Sequence, residues 1–106
     1  MNAQFKKGIV EICILKVISE EEMYGFEIIE RLSKRLDINE NTIYPILRRL
    51  TEQGLFTTYT KESQLGAPRK YYKITTEGVE ALKIYQQEWT EFLNNVMAIL
   101  KGEQHG

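Results

Sequence analysis

The sequence has 106 residues, enough for one domain with a core of its own and too few for two. With 42% hydrophobic and 27% charged residues it has the makeup of a folded chain, not of a disordered one. The longest strongly apolar run, Ile9–Ile18, is too short to span a bilayer and is broken by Glu11 and Lys16, so no membrane partner is expected. Residues 1–8 lack an apolar stretch and a small-residue cleavage site, so no signal peptide is expected. Cys13 is the only cysteine, which rules out an internal disulfide and suits a reducing cytoplasm. The net charge of −1 conceals an uneven distribution: residues 1–30 and 74–106 carry −3 each, and residues 31–73 carry +5. A basic middle between acidic flanks reads in two ways, as one basic face that attracts a polyanion or as a merely uneven surface.

The first predicted element is a helix over Lys6–Ser19. Ile9, Val10, Ile12, Cys13, Ile14, Leu15, Val17 and Ile18 make it apolar nearly all round, so it is expected to be buried on more than one side, against the core and against a partner subunit. Glu20–Met23 is a charged break. A second helix, Tyr24–Leu36, places Ile28, Leu32 and Leu36 at four-residue spacing with Ile29 beside them, and Arg31, Lys34 and Arg35 on its polar side. Asp37–Asn39 forms a short turn with Asn39 as N-cap. The third helix, Glu40–Gln53, buries Ile43, Ile46, Leu47 and Leu50 and stops at Gly54. Pro45 is expected to bend or loosen its early turns.

Two β-like runs follow, Leu55–Lys61 and Arg69–Thr75, both rich in aromatic and β-branched residues. Glu62–Pro68 between them is expected to be a long, flexible hairpin tip. Thr75 or Thr76 caps the last helix, Glu77–Lys101, where Leu82, Tyr85, Trp89, Phe92, Val96 and Ile99 step alternately by three and four residues. That is a heptad seam. A helix of about 25 residues is ~37 Å long, more than so small a chain can cover, and a second copy of the same helix could cover the rest. Residues 102–106, with the lone His105, are expected to be a frayed tail.

The order is helix, helix, short turn, helix, hairpin, long helix. The expected fold is therefore mainly α with a small β-hairpin: a winged helix-turn-helix DNA-binding domain over residues 1–75 and a C-terminal dimerisation helix over 76–101. The major groove admits one α-helix, and the third helix is the candidate. Its exposed side would carry Asn41, Thr42, Tyr44, Arg48 and Arg49. Gln64, Arg69 and Lys70 lie on the wing, and alternation along the strand sends Arg69 and Lys70 to opposite faces, so one of the two is expected to point at DNA. Tyr24 begins the second helix, where free backbone N–H groups can meet a phosphate. Each of these residues also has a plainer reading, as a solvated charge or a packing contact.

The segments MYGFEIIERL (residues 23–32), NTIYPILRRLTEQGL (41–55) and APRKYYKITTEG (67–78) resemble the PadR family of bacterial transcriptional regulators. The resemblance runs from about Ile9 to Leu100, and the single long C-terminal helix resembles the shorter branch of the family. It implies a homodimer whose C-terminal helices exchange contacts, including contacts with the partner's first helix. It also implies repression at inverted-repeat operators in double-stranded DNA and release by a small, often flat aromatic, effector. Ile12, Tyr85, Trp89, Phe92 and Val96 are the candidate interface and ligand-pocket residues. Two readings of Trp89 stand, interface core or ligand wall. Two competitors to the ligand-released repressor remain: a winged-helix protein-interaction module and a constitutive regulator without a ligand.

Catalytic chemistry has no foothold. One Cys and one His make no metal cluster, no nucleophile and base can be paired, and the glycines form no phosphate-binding loop. No catalytic residue, metal or cofactor is expected, and the chain is not expected to be an enzyme.

Overall fold

The computed structural model describes residues 3–102. Residues 103–106 of the expected tail, His105 among them, lie outside the described residues. Four helices and three strands follow in the order α1 (Ala3–Glu20), β1 (Met23–Tyr24), α2 (Gly25–Leu36), α3 (Glu40–Glu52), β2 (Phe56–Ser63), β3 (Gly66–Ile74) and α4 (Thr76–Leu100). The fold is mainly helical with a small antiparallel sheet, as the residue pattern predicts.

Helix α1 buries Val10, Ile14, Leu15 and Ile18 in the core, while Ile12, Cys13 and Val17 pack against that core and remain partly exposed. Helices α2 and α3 add Ile28, Leu32, Ile43, Ile46, Leu47 and Leu50, and Met23, Phe56 and Tyr72 bring the sheet onto the same cluster. The α2–α3 turn works through two local devices. Asp37 takes a left-handed conformation (φ 51°) that ends α2, which Asp tolerates better than most residues. The Asn39 side chain then accepts a hydrogen bond from the Asn41 N–H at 2.9 Å, capping α3. Helix α3 runs unbroken from Glu40 to Glu52 through Pro45, whose missing N–H falls on the exposed side of the helix. Gly54 (φ 81°) turns the chain into β2.

Two expectations need correcting. The break after α1 contains a strand: Met23 pairs with Tyr72 and Tyr24 with Tyr71, so the sheet has the order β1-β3-β2. Two residues carry too little pattern to be read as a strand. The long flexible tip expected over Glu62–Pro68 is instead ladder. Ser63 pairs with Gly66, leaving only Gln64 and Leu65 in the turn, with the Leu65 N–H donating to Ser63 Oγ. Pro68 is tolerated because the register shifts between Lys61 and Ser63, and a bulge spares a residue with no N–H to give. The resulting wing is narrow and ends in Leu65, 92% exposed.

Thr75 joins wing to α4. Its Oγ1 accepts from the Gly78 N–H (3.0 Å) and donates to the Gly54 carbonyl (2.7 Å), while its N–H donates to the Leu55 carbonyl. Gly78 is required there, because a Cβ would stand 2.3 Å from the Leu55 carbonyl oxygen. Only the start of α4 is sunk in the core, through Leu82. Beyond Trp89 the helix projects from the body, and the molecule measures 60 × 28 × 20 Å.

Candidate nucleic-acid interface

The outward face of α3 is set by what it buries. With Ile43, Ile46, Leu47 and Leu50 turned into the core, the exposed line is Asn41, Tyr44, Pro45 and Arg48, a spacing that repeats once per helical turn. Thr42 lies half-buried at the flank. Tyr44 rests against the start of α2, where a Cβ on Gly25 would be 2.9 Å from its ring and 3.1 Å from its hydroxyl. The missing side chain of Gly25 thus makes the seat for the Tyr44 ring. Tyr72 at the base of the wing feels the same face. Burial pushes its phenol pKa up, the Tyr44 phenol adds to that, and Arg48 opposes it. The base of the wing therefore lies close enough to Tyr44 and Arg48 to feel their charge.

Arg49 stands apart. It lies on the half-buried flank of α3 and forms an ion pair with Glu11 of α1, the two side chains retaining 32% and 25% of their exposure. Sequence reasoning grouped Arg49 with Arg48 because adjacent arginines look alike. The distinguishing signal was Glu11, a charge inside an otherwise apolar helix, 38 residues away.

The two faces of the wing divide its cations as strand alternation predicts. Lys70 shares the face of Tyr72, its Nζ 6.0 Å from that ring. Arg69 lies on the other face, its guanidinium 4.6 Å from the centre of the Tyr24 ring. That second face is an aromatic ladder missed by the sequence reading. Tyr24, Tyr71 and Tyr59 follow one another at 5.5 and 5.4 Å across three strands, with Lys61 5.1 Å from the Tyr71 ring. Tyr59 donates to Glu22 Oε1 at 2.6 Å, and that hydrogen bond, with lesser help from desolvation and charge, pushes its pKa up to about 12. The alternation of Tyr59 and Lys61 with Arg69 and Tyr71 was the available signal.

The predicted interface residues of α4 line up along the projecting helix. Tyr85 and Trp89 are half-buried, Trp89 lying over Gly8 of α1, where a Cβ would come within 2.9 Å of the indole. Phe92 is 54% exposed, edge-on to Trp89 at 6.0 Å. Tyr85, Glu88, Trp89 and Phe92 border a shallow concavity of about 360 Å³. A second, smaller hollow of about 160 Å³ runs between Trp89 and Leu93 of α4 and Ile9, Ile12 and Cys13 of α1. Val96 is half-buried, and Met97, Ile99 and Leu100 are exposed. Among the described residues no group of His, Cys, Asp and Glu could hold a metal ion, and no helix is long and apolar enough to cross a membrane.

A helix-turn-helix with an open polar recognition face, flanked by a hairpin wing, defines a winged-helix DNA-binding regulator. Residues 14–84 match the PadR-like family of transcriptional regulators, and the chain belongs to that family, one of regulators and not of enzymes. The chain is similar to a crystallised PadR-like transcriptional regulator of Bacillus cereus strain ATCC 14579, at 40% identity and a TM-score of 0.81, over 92% of this chain and 96% of that one. A crystallised protein of Streptococcus mutans UA159 superposes with a TM-score of 0.84 at 33% identity, over 94% of this chain and 93% of that one. An uncharacterised protein of Lysinibacillus sphaericus is 31% identical over 100 residues, covering 91% of this chain and 92% of its own length.

Proposed function

We propose that this PadR-family regulator is a homodimeric repressor that grips an inverted-repeat operator and is released by a small, flat aromatic ligand. The observation that carries the dimer is the apolar side of α4 beyond Tyr85. Phe92, Leu93, Met97, Ile99 and Leu100 are all exposed, and so extended an apolar stripe marks an interaction surface. A second α4 supplies the matching stripe. Residues 1–75 are then the DNA-binding unit and 76–101 the dimerisation helix, and the protein works in the cytoplasm.

On this reading Asn41, Tyr44 and Arg48 enter the major groove, with Thr42 at its edge. Of the two wing cations, Lys70, on the face it shares with Tyr72, reaches the flanking backbone while Arg69 stays over the Tyr24 ring, and Tyr24 opens the N-terminus of α2 toward a phosphate. The two recognition helices must sit about one DNA turn apart, ~34 Å. The ligand seats against Trp89, with Tyr85 and Phe92 beside it and Ile12 and Val96 at the margins, and favours a spacing that cannot engage both half-sites. It does so only by binding that form more tightly than the DNA-bound one.

The test is fluorescence anisotropy on a labelled duplex from upstream of the protein's own gene, with a scrambled duplex as control. Tighter binding to the native duplex that falls steeply with salt is expected, and Arg48→Ala should weaken it by roughly tenfold, the cost of one good base or phosphate contact. Aromatic compounds titrated into the complex should quench Trp89 and release DNA together. Release without a Trp89 response would place the ligand elsewhere, and no response to any compound would leave a constitutive regulator. If a folded dimer bound no genomic duplex at any salt, the winged helix would be a protein-interaction module.

A further inference from the structure

We propose that the Glu11–Arg49 pair is a positioning clamp that sets the pose of the recognition helix, and that Arg49 does not touch DNA. The inference rests on the operator-binding reading given above. Glu11 is one of only two charges in the apolar run Ile9–Ile18 of α1. The other, Lys16, is exposed, whereas Glu11 is half-buried. A half-buried carboxylate on an apolar helix needs a partner, and Glu11 finds it in Arg49. Arg49 is one residue on from Arg48, about 100° further round a helix with 3.6 residues per turn. Arg48 therefore stays on the exposed line with Asn41 and Tyr44, while Arg49 turns to α1.

The pair joins two elements with different tasks. Helix α1 carries the partly exposed Ile12 and Cys13 beside Glu11 and the hollow shared with Trp89. Helix α3 presents the groove-reading face. Apolar packing through Ile46, Leu47 and Leu50 tolerates small rotations and slides. A guanidinium–carboxylate contact at the α3 C-terminal half fixes the remaining freedom by direction. Loss of either partner frees α3 to roll and leaves the other charge half-buried and alone. A rolled α3 misaligns Arg48 and Tyr44 against the base edges while the Arg48 charge stays among the phosphates, so operator affinity falls with the number of neutralised phosphates unchanged.

Salt dependence separates the two roles of an arginine. Each phosphate neutralised adds about 0.9 to the slope of log K against log salt. Operator binding is measured for wild type, Arg48→Gln, Glu11→Gln, Arg49→Gln and the double variant Glu11→Gln/Arg49→Gln, with helical circular dichroism recorded for each. Arg48→Gln is expected to lower the slope by about one phosphate. Arg49→Gln and Glu11→Gln are each expected to weaken binding by roughly tenfold with the slope unchanged, and the double variant to be no weaker than either single one, since coupled residues are non-additive. A slope that falls by about 0.9 in Arg49→Gln, with Glu11→Gln binding as well as wild type or better, overturns the proposal and makes Arg49 a phosphate ligand. If a single variant loses its helical signal, the double variant, which strands no charge, decides. Weaker binding at unchanged slope supports the clamp, and wild-type affinity or a lowered slope overturns it. A wild type that binds no duplex defeats the operator reading itself and is seen before any variant is compared.

Discussion

Tyr59 shows how much one exposed hydrogen bond can do to a side chain, with desolvation and neighbouring charge adding less. Ionising Tyr59 would remove the proton it donates to Glu22 and set two anions side by side, so its pKa is pushed from the ordinary 10 up to about 12. The folded-state value is raised, so whatever this contact adds to the wing is full below pH 10 and is lost as pH rises toward 12. A tyrosinate absorbance titration should show a group ionising near 12 in the wild type, and Glu22→Gln should bring it down. A titration curve unchanged by that substitution would mean that the contact does not persist in solution. Glycine 25 acts through space rather than charge. The ring that a Cβ would meet belongs to Tyr44, which is 42% exposed and can swing away. Gly25→Ala should therefore leave the melting temperature within a few degrees, yet weaken operator binding, because the displaced phenol leaves the recognition face. A loss of stability with unchanged affinity would place Tyr44 in packing only.

Gly78 at the head of α4 is the opposite case, because the obstacle is backbone. A methyl there would stand 2.3 Å from the Leu55 carbonyl oxygen, which also holds the Thr75 N–H. Gly78→Ala should cost ~2–3 kcal/mol as an overpacked site, read as an earlier thermal transition, with the wing and α4 loosened together. At this scale most of the architecture was legible from the residues. Apolar positions at helical spacing gave α2 and α3 to within a residue or two, and Asn39 and Gly54 marked the ends of α3 and Thr75 the start of α4 by chemistry that repeats in any helix. What escaped was set by distant partners. Strand β1 exists because Tyr71 and Tyr72 offer it a ladder. The wing tip is short because a bulge absorbs Pro68, whereas Gly66 and Pro68 read locally as loop residues. Arg49 could be separated from Arg48 only by Glu11, on a different helix. Local propensity carries no term for any of these.

The shape of the whole molecule makes the strongest demand for a second copy. The chain extends 60 Å along its longest axis but only 20 Å along its shortest, because the second half of α4 leaves the core behind and exposes Phe92, Met97, Ile99 and Leu100. In the proposed dimer, burying that stripe against its twin would remove apolar area from water on both helices at once and would also fix the distance between two recognition faces. Phe92→Glu separates these consequences from folding. Phe92 is already half-exposed in the isolated chain, so the substitution should leave the helical signal intact. In the dimer it would put two carboxylates into an apolar contact, where unpaired charge is costly. Sedimentation should then report monomer at concentrations where wild type is dimeric. On DNA, the wild type should bind a full inverted repeat roughly 10²–10⁴ times more tightly than a single half-site, because the second engagement is intramolecular. Phe92→Glu should bind both duplexes alike, near the wild-type half-site affinity. Were the monomeric variant to keep the full-site advantage, the pairing of recognition helices would not depend on α4. The apolar stripe would then belong to some other partner.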